Sequence, residues 1–212
     1  SSWKLALRHI MHKEYYRRNL PHWQPANAVF FITARLSGSL PKNIVLDLNE
    51  QRASAINALK DKGLPEEELE EALTQCHDLY FGKFDDLLDK STTGPHWLKQ
   101  DNIAQIWTDA LKYFDGERYK LICSTVMSNH VHFIFYKLDR QLVDVMHSLK
   151  SYTSTHANKA LNRTGAFWTH ESFDRVIRGR VELQAKVNYV LNNPVKVGLV
   201  SHWSECKHNY IR

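Results

Sequence analysis

The sequence predicts an α+β fold, a sandwich of helices packed on an antiparallel sheet. Two observations predict it. Short apolar and β-branched runs occur at 28–36, 119–126 and 130–136, which favours strands. Longer stretches between and after them repeat apolar residues at helical spacing. The resulting order is strand, helices, a strand pair, helix, strand, helix.

The 212 residues suffice for one sizeable domain with elaborations. Hydrophobic residues make up 43% and charged residues 24%, as in ordinary globular proteins. A net charge of +5 fits a nucleic-acid partner without requiring one. No apolar run is long enough to span a bilayer, and the first residues do not form a signal peptide. The expectation is a cytoplasmic protein, associated with the bacterial nucleoid, with no membrane partner. Cys76, Cys123 and Cys206 are odd in number and widely spaced. They suggest neither a disulfide framework nor a zinc knuckle, and they point to a reducing compartment.

Residues 1–25 form a basic and aromatic arm that includes Tyr15, Tyr16, Arg17, Arg18 and Trp23. Cations interleaved with flat rings suit phosphates and stacked bases. An arm that packs its aromatics on the domain would have the same composition. Residues 28–36 (AVFFITARL) read as a buried strand, broken by Ser37-Gly38-Ser39. Leu48, Arg52, Ala55, Ile56 and Leu59 mark a helix over 48–59. Gly63 closes it and Pro65 opens the next. That next helix, Pro65 to about Phe81, has an acidic first turn, Glu66 to Glu68, which suits a helix N-terminus, and Phe84, Leu87 and Leu88 continue its apolar stripe. Residues 91–95 are a loop, and 101–114 a helix with Ile103, Ile106, Trp107, Ala110, Leu111 and Phe114 on one side. A strand over 119–126 leads into a second, His130 to Tyr136. Residues 141–161 form a helix with Leu142, Val145, Met146, Leu149 and Tyr152 inward, whose other face carries Lys150, Ser151, Thr153, Ser154, His156 and Lys159. Residues 173–178 (FDRVIR) read as a short strand, and 181–193 as the last helix, ending where Pro194 follows.

Two places carry chemistry. In a strand, side chains two apart share a face, so His130 and His132 stand side by side with Val131, Phe133 and Phe135 opposite. Two neighbouring imidazoles can hold half of a divalent metal site. A half-exposed strand face would also carry such a pair without any metal, so a partner elsewhere is needed. The last helix offers one. Its apolar stripe is Leu183, Val187, Val190 and Leu191. Tyr189 lies roughly 145° from the stripe centre and Asn193 roughly 105° on the same side. A tyrosine so placed can be a nucleophile if a metal or base stands beside it. Asn193 offers a hard oxygen that Mg²⁺ or Mn²⁺ accepts together with imidazole. A surface tyrosine with Asn193 as helix terminator is the other account.

The string Met127-Ser128-Asn129-His130-Val131-His132-Phe133 resembles the HUH motif of single-tyrosine transposases. Asn188 to Val200 (NYVLNNPVKVGLV) resembles their tyrosine helix and the segment after it. Gly165 to Trp168 and Phe173 to Arg178 resemble the segment between. The nearest branch is the REP-associated tyrosine transposases, relatives of the smallest insertion-sequence transposases. The resemblance implies one HUH endonuclease domain over 1–212, ferredoxin-like, with the histidine strand central and a helical insertion at 64–100. It makes His130, His132 and Asn193 ligands of Mg²⁺ or Mn²⁺, and Tyr189 the nucleophile. Asn193 stands where the insertion-sequence branch has Gln, and Ser128 where Pro is frequent. The implied activity is cleavage and rejoining of single-stranded or hairpin DNA through a 5′-phosphotyrosine. Lys150, Lys159, Arg175, Arg178, Arg180, Lys196, Arg17 and Arg18 would then neutralise phosphates.

A histidine-triad hydrolase needs a third alternate histidine, and position 134 is Ile134. A two-histidine phosphoesterase needs a second H-x-[S/T] element, which His202-Trp203-Ser204 fits only formally, in a segment that reads as a tail. The remaining rival is a domesticated, non-mobilising hairpin-binding protein with a regulatory role. The family resemblance also suggests a homodimer whose sheets join, since an uncovered apolar edge is an aggregation hazard. The competing account is a monomer whose edge the 64–100 insertion covers.

Overall fold

The computed structural model describes residues 28–212, and the strand backbone of 15–17 and 21–23. The rest of the 1–25 arm, with Arg18 and the Arg17 side chain, lies outside the described residues. The chain divides into two compact units. One is Leu36–His96; the other joins the residues up to Arg35 with Trp97–Arg212.

The first unit is helical. α1 (Lys42–Lys60) and α2 (Glu66–Lys90) are joined by a turn in which Gly63 has φ +64°. α1 begins six residues before its apolar periodicity, immediately after Pro41. α2 runs nine residues beyond Phe81, through the Phe84, Leu87 and Leu88 stripe. The unit's two ends meet: Ser91 Oγ donates to the Ser39 carbonyl at 3.2 Å. At Gly94, with φ +84°, any Cβ would collide with the Gly38 carbonyl.

The second unit is built on a sheet. Its strands are β3 (Val29–Arg35), β4 (Lys120–Val126), β5 (His130–Tyr136), β6 (Phe173–Ile177) and β7 (Tyr210–Ile211). Their order is β6-β3-β5-β4-β7, every pairing antiparallel. A separate hairpin pairs β1 (Tyr15–Arg17) with β2 (Pro21–Trp23). β5 is central, as expected. The helices are α3 (Asp101–Phe114), α4 (Leu142–Ala160) and α5 (Gly179–Lys196). This is the α+β architecture that the sequence predicts.

One face of β5 is a dry core. Trp107 of α3 meets the Phe133 ring edge-on at 5.5 Å and Trp168 at 4.9 Å. Tyr119 stacks on Phe135 at 4.9 Å and donates its hydroxyl to the Leu111 carbonyl at 2.8 Å. Leu142, Val145, Met146 and Leu149 of α4 are buried as expected, but Tyr152 is exposed, and Thr153 is buried instead, where its hydroxyl accepts from Trp168 Nε1 at 2.8 Å. On β5 itself, Val131, Phe133 and Phe135 alternate with the histidines because the strand period is two.

Two local features differ from the sequence expectation. α5 does not stop at Asn193; Pro194 is inside it and the helix ends at Lys196. Pro194 lacks only its own N–H, and this close to the end the next turn still closes. Val197 N–H reaches the Asn193 carbonyl, and Gly198, with φ +71°, terminates the helix. The C-terminal segment is not a plain tail. It forms β7 against Cys123 and Ser124 of β4. Lys207 and His208 bind the Asp101 carboxylate at 2.6 and 2.9 Å, and Arg212 pairs with Asp115.

Candidate functional site

The other face of β5 is polar. His130 and His132 are fully buried in the middle of the sheet. Their rings are 4.6 Å apart and their Nε2 atoms 3.0 Å apart. Each ring is held from behind. His130 Nδ1 lies 2.7 Å from Asn129 Oδ1, and His132 Nδ1 lies 2.7 Å from Thr33 Oγ1. The amide oxygen only accepts, so His130 carries its proton on Nδ1 and turns the Nε2 lone pair inward. Thr33 can accept in the same way from His132, because its hydroxyl takes either role. The cross-strand register places it there: Thr33 of β3 is directly opposite His132.

α5 brings the remaining groups. Asn193 Nδ2 lies 3.2 Å from His132 Nε2. Asn193 is buried, and its Oδ1 has no hydrogen-bond partner. Rotating the amide by half a turn exchanges the two atoms and aims that oxygen at the histidines. The Tyr189 ring is 5.6 Å from His132 and 6.1 Å from Phe31, edge-on to the latter. Phe31 is itself stacked on His132 at 5.7 Å. Tyr189 avoids the apolar stripe of its own helix, as its angle required, yet it does not point into solvent. Its ring rests on the histidine face.

The donors fit a hard divalent ion. Two imidazoles can present lone pairs to one another across 3.0 Å, a gap that an ion with bonds of about 2.0–2.1 Å spans. The orphaned Asn193 oxygen is the third donor that such an ion accepts. A buried amide oxygen left without a partner, as that of Asn193 is, costs about 1–3 kcal/mol.

The cations named from the sequence are spread out. Lys150 is half-buried, and its ammonium donates to the carbonyls of Thr169 and His170 at 2.9 and 3.1 Å. It also lines a cleft of about 530 Å³ between α4 and the 165–174 segment, on the face away from the histidines. Arg175 pairs with Glu182 at 2.7 Å. Glu182 also accepts the Arg178 backbone N–H at 2.6 Å, which fixes the start of α5. Lys159, Arg178, Arg180 and Lys196 are exposed. Sequence reasoning missed four neighbours of the site: Phe31, Thr33, Asn129 and Lys186. Asn129 lies within the histidine motif and could have been found there. Phe31 and Thr33 read only as strand core.

Residues 96–193 match the family model described as "Transposase IS200 like". The matched segment holds both histidines, Tyr189 and Asn193. This segment is similar to the IS200-like transposases. The match spans just under half of the 212-residue chain. Among solved structures, the chain is similar to a REP-associated tyrosine transposase bound to a REP hairpin. The TM-score is 0.52 and the identity 14%, covering 92% of this chain and 80% of that one. At that identity the likeness shows a shared fold. No curated protein sequence matches the chain. No helix among the described residues is long and apolar enough to cross a membrane.

Proposed function

We propose that this chain is a DNA strand transferase of the HUH type, acting on single-stranded, hairpin-bearing DNA in the bacterial cytoplasm. One observation carries the reading. Within the family-matched segment, His130, His132, Asn193 and Tyr189 converge on one face of β5 from two elements. His130, His132 and Asn193 would hold Mg²⁺ or Mn²⁺. When bound, that ion would withdraw electron density from the scissile phosphate and offset its charge.

The chain's own residues do the rest. Asn129 and Thr33 hold the imidazoles in the tautomer that leaves Nε2 free. Phe31 and His132 fix the plane of the Tyr189 ring. Tyr189 Oη bonds to phosphorus as the P–O3′ bond breaks. The phenol proton passes to water and the released 3′ oxygen takes one up. The 5′-phosphotyrosine keeps the energy of the diester, so a 3′-OH can reverse the step and join DNA without ATP. The exposed Lys159, Arg178, Arg180 and Lys196, with Arg17 and Arg18 of the arm, would lie along the backbone.

The hairpin preference follows the solved relative, which was captured on a REP hairpin. The proposed layout is one HUH domain over 1–212, with an arm at 1–25 and an insertion at 64–100. The reading keeps a homodimer. β7 already lies along β4 at Cys123 and Ser124, so a partner strand must displace it or join elsewhere. Light scattering decides this: twice 24.8 kDa is expected, and a mass near the single value would refute the dimer.

The test of the chemistry is Tyr189→Phe. The ring and its packing remain, and only the nucleophilic oxygen is lost. The variant should bind the hairpin strand and melt as the parent does, yet form no covalent DNA adduct with Mn²⁺. Normal nicking by the variant removes Tyr189 from the reaction. Hairpin binding without nicking by the unaltered protein would favour the domesticated, regulatory reading.

A further inference from the structure

Lys186 is a half-buried cation on α5, three residues before Tyr189. That spacing puts the two side chains on the same side of the helix. The Lys186 ammonium stands 5.8 Å from the centre of the Tyr189 ring and 5.4 Å from that of Phe31. Phe31 is in turn stacked on His132. A single ammonium thus sits against the nucleophile and against the ring that backs the histidine pair. Other cations near the start of α5 are held differently: Arg175 is paired with Glu182, and Arg180 is exposed.

We propose that Lys186 is a phosphate-binding residue of the strand-transfer site, holding a non-bridging oxygen of the scissile diester beside Tyr189 Oη. This rests on the reading of Tyr189 as nucleophile. A phosphodiester is an anion, and an attacking phenolate oxygen adds a second negative charge at the same place. An ammonium in a partly water-excluded site offsets that repulsion and costs no reorganisation when the reaction occurs. Lysine suits the role, since it is a compact point charge on a flexible stem. Its stem lets the ammonium leave the ring face for a phosphate oxygen without moving the helix. Bond changes are those already given: Oη–P forms, P–O3′ breaks, and Lys186 stays protonated throughout.

The test uses the full chain and a labelled single strand copied from the hairpin-forming DNA beside its gene, with Mn²⁺. Single-turnover cleavage is compared for the parent, Lys186→Met, Lys186→Arg and Tyr189→Phe. The same strand is then made with an uncharged methylphosphonate at the scissile position. Lys186→Met should slow cleavage of the ordinary strand by about 10²-fold, with hairpin affinity within about threefold, and Lys186→Arg should recover part of the rate. On the methylphosphonate strand the difference between parent and Lys186→Met should shrink to a few-fold, because the anionic partner is gone. A packing role for the lysine stem predicts equal loss on both strands, and that result overturns the proposal. So does a Lys186→Met rate equal to the parent's. Cleavage by Tyr189→Phe, or none by the parent, is a different failure: it ends the reading of the nucleophile itself. In the Tyr189→Phe background, anisotropy gives a readout without chemistry. Lys186→Met should weaken binding of the ordinary strand more than that of the methylphosphonate strand.

Discussion

The two faces of β5 follow the same strand period yet are built to opposite rules. On one, Val131, Phe133 and Phe135 meet Trp107 and Tyr119, and the gain is burial of large rings. On the other, His130 and His132 meet Thr33, Asn129, Asn193 and Tyr189, and nearly every polar atom is spoken for. The Asn193 oxygen has no partner, and neither has the hydroxyl of Thr125, which lies opposite His132 on β4. A buried polar face is expensive unless it is satisfied. This one is satisfied from behind, with the two Nε2 atoms facing each other at 3.0 Å.

The contrast can be broken from the polar side first. His130→Ala or His132→Ala removes one of the two imidazoles. Cleavage should fall by at least about 10³-fold, the several kcal/mol that metal charge stabilisation supplies, and calorimetry should detect no Mn²⁺ binding. Full nicking in excess chelator would falsify the metal assignment. From the apolar side, Phe133→Ala should cost about 3–5 kcal/mol of stability. The chemical-denaturation midpoint should drop while the remaining folded fraction still binds Mn²⁺. If that variant lost the ion and kept its stability, the two faces would not be separable.

A finer probe is Thr33→Val, which keeps the side chain's shape and deletes the hydroxyl behind His132. Mn²⁺ affinity should weaken about 10–100-fold, with little change in melting. An unchanged affinity would mean that strand packing alone orients the ring. The smallest effect lies away from both faces. Asp101 is held below the usual carboxylate range, first by the Lys207 hydrogen bond and then by that of His208. A lowered folded pKa stabilises above the unfolded value of about 3.9 and is lost as pH falls through the folded one. Asp101→Asn should therefore lower the melting temperature slightly at neutral pH, and the gap should close below about pH 4. A gap that persists in acid would mean that Asp101 acts through the backbone instead.

Cys76 and Cys123 are buried and Cys206 is partly so. All three cysteines are free, and burial pushes the Cys123 thiol up to about 12.

Local signals determined a good deal. The period of two in β5, the helix at 101–114 and the stripe on the last helix follow from side-chain alternation and helical spacing. They put the histidines together and turned Tyr189 away from its own helix's stripe. What they could not supply is which groups from distant parts of the chain arrive there. Thr33 backs His132 through a cross-strand register 99 residues away in sequence, and register depends on pairing energy that no single strand carries. Lys186 is one more cation on a helix until α5 docks and sets it over two rings. β7 is only two residues long, too short for any periodic signal, and it exists because β4 offers an unpaired edge. The continuation of α5 through Pro194 is also tertiary, since a missing N–H in the last turn is tolerated when that turn is packed. Sequence alone thus determined the chemistry of the residues. Their convergence was decided by long-range packing, because only the folded sheet brings residues far apart in the chain within hydrogen-bond reach.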